Sequence, residues 1–134
     1  MHDVISKIKK WCDENNFIES NSSGINNNFY YIHKDGQTEQ IDVYWGTTNK
    51  QLNRKYNLCF EINTQSTMVT YQLIDLSDDA YDNQYGDSTT FSHNDYIMGE
   101  SFYLKDIEEN ISGLRNYVTN MFNLTTFPVL YEED

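Results

Sequence analysis

The side chains with the chemistry for catalysis or metal binding are three histidines, two cysteines and one dense run of aspartates. His93 stands two residues before Asp95, close enough for a carboxylate to orient an imidazole for proton transfer. That spacing is commonplace, and no nucleophile motif accompanies it: the chain has no GxSxG, no HExxH and no catalytic-cysteine signature. His2 lies at the N-terminus, and His33 falls in a strand-like run beside Asp35-Gly36. Cys12 and Cys59 form neither a CxxC nor a zinc spacing, and each sits among apolar residues, so both read as small buried hydrophobes. Neither GxGxxG nor GxxxxGK[ST] occurs, so no phosphate-cradling loop is expected.

The densest supply of hard oxygen ligands runs from Asp75 to Asp87, with Asp75, Asp78, Asp79, Asp82 and Asp87 as its carboxylates. Calcium prefers such ligands, but the register fails the EF-hand test. No glycine follows acidic ligands at alternate positions, and no glutamate closes the loop. The segment reads as a solvated acidic loop, with no metal and no cofactor expected.

Charge distribution carries more information than any motif. The net charge is −12, yet residues 1–60 hold seven acids against seven bases and sum to zero. Residues 61–134 hold fourteen acids against only Lys105 and Arg115, so the entire imbalance lies in the second half. Such a field repels nucleic-acid phosphates and anionic membranes and steers cationic surfaces toward the chain. The one basic cluster, Lys7, Lys9 and Lys10, is offset by the acids that follow it and lacks the interleaved aromatics of a nucleic-acid site. No run approaches the length of a membrane span or begins as a signal peptide, so the expected location is the cytoplasm.

The elements that must position these groups follow from hydrophobic spacing. A length of 134 residues with 38% hydrophobic and 15% aromatic residues suits a single domain over 1–134. Val4, Ile5, Ile8, Trp11 and Cys12 recur at helical spacing, with Asp3 as a start and Asn15-Asn16 as a stop. Four strand-like runs follow: Phe29–Lys34, then Ile41, Val43 and Trp45 alternating with Asp42 and Tyr44, then Tyr56–Ile62, then Met68–Leu73. Short polar connections make them an antiparallel meander. Residues 75–103 are rich in Asp and Tyr and show no steady period, leaving room for a short fifth strand around Tyr96–Tyr103, and Ile107, Ile111, Leu114, Val118 and Met121 predict a C-terminal helix. The expected fold is α+β: an N-terminal helix, a four- or five-stranded antiparallel meander sheet and a C-terminal helix. Both helices would cover the apolar face, while Tyr30, Tyr44 and Thr70 would face solvent on the other.

Within this frame the acidic, tyrosine-rich segment is the distinctive feature. Tyrosine gives large contact area at low entropic cost, and neighbouring carboxylates pair with Arg and Lys. The predicted partner-binding residues are Asp78, Asp79, Tyr81, Asp82, Tyr85 and Asp87, followed by Asp95 and Tyr96. The expected partner is a basic protein, with neither nucleic acid nor membrane bound. The expected function is non-enzymatic: a small bacterial immunity protein or antitoxin that covers the active site of a basic, nuclease-type toxin domain. Two alternatives share the charge pattern. One is a phage-type DNA mimic of the anti-CRISPR or anti-restriction kind, and the other is an acidic secretion-type chaperone.

Overall fold

A computed structural model describes residues 3–20, 28–46, 55–76, 95–121 and 124–130. Helix α1 spans Asp3–Glu14 and buries the five apolar residues that set its period, with its charged residues turned outward. It ends where Asn16 adopts a left-handed φ of 67°, a conformation asparagine tolerates. The Phe17 amide then donates back to the Cys12 carbonyl at 2.9 Å, satisfying one of the helix's last acceptors.

The sheet has six strands in chain order: β1 (Ile18–Glu19), β2 (Phe29–Asp35), β3 (Thr38–Gly46), β4 (Lys55–Asn63), β5 (Met68–Asp75) and β6 (Asp95–Tyr103). Strands β2 to β6 form antiparallel ladders, whereas β1 pairs with β2 in parallel. The four- or five-stranded, purely antiparallel sheet expected from the sequence is thereby corrected to six strands in a mixed sheet. Two residues are too few to show a period of two, so β1 left no signal. It exists because the Ile18 amide reaches the Asn28 carbonyl at 3.1 Å and the Ser20 amide reaches Tyr30 at 2.8 Å.

Two turns set the register of the meander. Gly36, at φ 60°, lies in the two-residue loop between the paired Asp35 and Thr38. Between β4 and β5, the Asn63 side chain accepts from the Gln65 and Ser66 amides, both at 3.0 Å, and braces the loop. A turn of 3-10 helix at Leu104–Asp106 then leads into α2, Ile107–Met121.

Alternate strand residues form one buried layer: Ile41, Val43 and Trp45, then Tyr56, Leu58, Phe60 and Ile62, then Val69, Tyr71 and Leu73. Each fully buried aliphatic or aromatic side chain contributes about 1.5–3 kcal/mol through removal from water. Two hydroxyls from this layer report where the helices lie. Tyr30 donates to Asp13 of α1 at 2.5 Å, and Tyr71 donates to the Asn110 carbonyl of α2 at 3.5 Å. Tyr30, expected at the solvent face, is instead fully buried, because its ladder partner is the core residue Val43. Residues 124–130 complete this layer. Phe127 packs 5.1 Å from the Trp11 ring, and the indole N–H donates to the Thr125 carbonyl at 3.4 Å.

Tyr30 links the fold to alkaline pH. Burial first, and then its bond to Asp13, push its phenol up to about 12 from an ordinary 10.0. Between those values the folded chain holds a proton that the unfolded chain has lost. The stability from this group is therefore complete below about pH 10 and is lost as pH rises through about 12. Urea midpoints measured across that window should fall, and Tyr30→Phe should flatten the slope. An equally steep slope in the variant would assign the effect to other groups.

Candidate partner-binding face

The face of the sheet turned away from the helices is built from the other alternate residues. On β2 and β3 it carries a row of parallel rings. Phe29 and Tyr44 stack at 4.8 Å, Tyr31 and Tyr44 at 6.1 Å, and Tyr31 and His33 at 5.2 Å. The β2–β3 register places Asp42 opposite Tyr31, among these rings, where it is only 4% exposed. A buried carboxylate needs donors. Gln40 Nε2 supplies one at 2.9 Å, and His33 Nε2 lies 3.2 Å from the same Oδ2.

This cluster combines a histidine, a carboxylate and, on β4, Cys59. Burial first and the Asp42 charge second push the Cys59 thiol well above its usual range, so it stays protonated and is not nucleophilic. The same two causes raise the Tyr31 and Tyr44 phenols. What results is an aromatic platform whose hydroxyls and thiol remain hydrogen-bond donors. Among the described residues, no group of three or more His, Cys, Asp or Glu side chains is placed to hold a metal.

The β5–β6 margin of the same face is wetter. Thr70 Oγ1 and Ser101 Oγ share a hydrogen bond of 2.7 Å across the strands. Tyr96 is 60% exposed and Tyr103 54% exposed, and the Tyr96 hydroxyl donates to the Gly99 carbonyl at 2.8 Å. Thr70, Gln72, Tyr96, Glu100 and Ser101 border a shallow recess of about 200 Å³. Gly99 is required at this margin. A Cβ there would lie 2.5 Å from the Tyr71 carbonyl oxygen and 2.9 Å from the Tyr96 hydroxyl. Backbone cannot yield as a flexible side chain can, so Gly99→Ala should cost about 1–3 kcal/mol. A chemical-denaturation curve would show this, and a wild-type midpoint would contradict the clash.

Of the residues predicted to contact a partner, Asp78, Asp79, Tyr81, Asp82, Tyr85 and Asp87 lie outside the described residues, as does most of the Asp75–Asp87 calcium candidate. Asp95 and Tyr96 open β6. Asp95 stands opposite Asp75 in the ladder, so the acidic connection leaves and re-enters the sheet at one end of the β5–β6 pair. Lys7 and Lys10 border a groove of about 370 Å³ between α1 and residues 126–129, whereas Lys55 stands at the Asp75 end of the sheet, its carbonyl accepting from the Leu76 amide at 2.7 Å. Sequence reading missed the cluster around Asp42. The available signal was a charged residue alternating inside the apolar run Ile41–Trp45, but its neighbours on β2 depend on the turn's register.

No protein-family model matches the chain, and neither a curated protein nor a solved structure matches it. Among the described residues, no helix is long and apolar enough to cross a membrane.

Proposed function

We propose that this protein is an immunity protein or antitoxin that binds a basic toxin domain of nuclease type and occludes its active site without catalysing a reaction. One observation carries the reading: the whole net charge of −12 falls in residues 61–134. Its densest stretch is rooted between Asp75 and Asp95, beside the exposed Tyr96. A one-sided negative field steers a cationic surface into register, and tyrosines beside it supply desolvated contact area. The contact set proposed is Asp78, Asp79, Tyr81, Asp82, Tyr85 and Asp87, with Asp95 and Tyr96 at its base. The interaction would take place in the cytoplasm, where a toxin-producing cell must protect itself.

The test is to express the C-terminal domain of the product of the neighbouring reading frame with and without this chain. Protection of the cell, a one-to-one complex, and an association rate that falls steeply with added salt are expected. Salt-insensitive binding by a dimer along apolar surface would favour a chaperone. Competition with DNA for a Cas or restriction protein would favour a DNA mimic. Turnover of a substrate that is lost in His93→Ala would overturn the non-enzymatic reading.

A further inference from the structure

We propose that the outer edge of β6, from Gly99 to Tyr103, accepts an extended Lys- or Arg-bearing segment of the basic partner as an additional strand. The proposal rests on the reading of function above and names how the partner would be held.

Strand β6 ends the sheet, and among the described residues no strand pairs with its outer edge. The opposite margin is β1, only two residues long; beyond it no described strand pairs with Tyr31–Asp35 of β2, but that stretch carries Lys34, which blunts an edge. An edge strand presents a row of backbone donors and acceptors that can template a further strand, unless lysine, proline or a covering element blunts it. The β6 sequence, Asp-Tyr-Ile-Met-Gly-Glu-Ser-Phe-Tyr, contains neither lysine nor proline.

The local geometry defines where pairing can begin. Ile97 is an extra residue in the β5–β6 ladder, because Leu73 pairs with Met98 and Ile74 with Tyr96. Such a bulge interrupts regular pairing on its own strand. The Tyr96 hydroxyl also occupies the Gly99 carbonyl. From Gly99 onward the ladder is regular up to Tyr103, after which the 3-10 turn begins.

Charge selects the occupant. The one ionisable side chain between Gly99 and Phe102 is Glu100, which is exposed, and Asp106, Glu108 and Glu109 follow within the next turns. A second copy of the chain would bring the same carboxylates, and another −12, against this edge. A cationic strand would find them complementary. Tyr103 already faces a cation: Lys105 Nζ lies 6.0 Å from its ring centroid. That ring already has its cation, so an incoming strand, whose side chains alternate, would set its basic residues against Glu100 on one face and its apolar residues against Tyr103 on the other.

The test uses the full chain, labelled with ¹⁵N, and a capped heptapeptide alternating Arg and Val, at low salt. Amide shift changes concentrated on Gly99–Tyr103 are expected, with slowed hydrogen exchange there. The same peptide with alternate amides N-methylated keeps its charge but cannot complete a ladder, and should bind about tenfold more weakly or worse. Equal binding of the two peptides would overturn strand addition while leaving a charge-driven basic partner in place. Shift changes mapping away from β6, or no binding of either peptide, would also overturn it. Concentration-dependent changes at β6 without peptide would assign the edge to a second copy instead. Failure of the functional reading is detected separately, by absence of the toxin complex.

Discussion

Reversing Asp78, Asp79 and Asp82 to Lys is expected to slow association with the basic partner by about tenfold or more and to leave stability almost unchanged. The substitution moves the local charge from strongly negative to positive in the stretch where the imbalance is densest. Charged interfacial groups act mainly through steering, so the loss should appear in the association rate and should shrink as salt screens the field. Exposed substitutions away from the core typically change stability by about 0.5 kcal/mol or less. In a domain of this size each such change corresponds to a melting temperature shifted by only about 1–3 °C. Stopped-flow association across a salt series, with thermal melts of the same samples, separates the two effects. A large drop in melting temperature would show that these aspartates serve the fold. Unchanged kinetics would remove the segment from the interface.

Phe60→Ala should have the largest effect on the fold, lowering unfolding free energy by about 3–5 kcal/mol. Phe60 is fully buried on β4, the strand between β3 and β5. Its ring lies 5.8 Å from Tyr71 and 6.2 Å from Phe127, so it joins the sheet to the segment that closes over α1. Truncation leaves a cavity under a sheet whose backbone is fixed by ladders on both sides of β4 and cannot collapse to fill it. Since domains are stable by only about 5–15 kcal/mol, the variant would be marginal. Urea unfolding measures this directly. A loss below about 1 kcal/mol would mean that the layers repack more freely than their contacts imply.

Sequence reading succeeded where a residue's environment follows from its own periodicity. The spacing of Val4, Ile5, Ile8, Trp11 and Cys12 specifies a buried stripe, and those are the residues buried in α1. The alternation of Tyr56, Leu58, Phe60 and Ile62 likewise specifies one face of β4. Reading failed where an element owes its existence to a distant partner. β1 is defined by its bonds to the Asn28 and Tyr30 carbonyls and by nothing in its own two residues. Tyr30 was misplaced for the same reason: a tyrosine suits either face of a sheet, and the choice was made by its pairing with Val43 on another strand.

The amino-acid order alone determined the amphipathic periods, the short turns that make neighbouring strands antiparallel, and the confinement of the negative charge to one half. Each is a property of neighbouring residues or of a simple sum, so no long-range contact is needed to read it. Tertiary structure alone decided that Asp42 is buried among Tyr31, Tyr44 and His33, that Gly99 lies against the Tyr71 backbone, and that Tyr96 and Tyr103 belong to the last strand of the sheet among the described residues. These depend on cross-strand register and strand order. Those are settled by which of many compatible pairings buries the most apolar surface while satisfying the backbone.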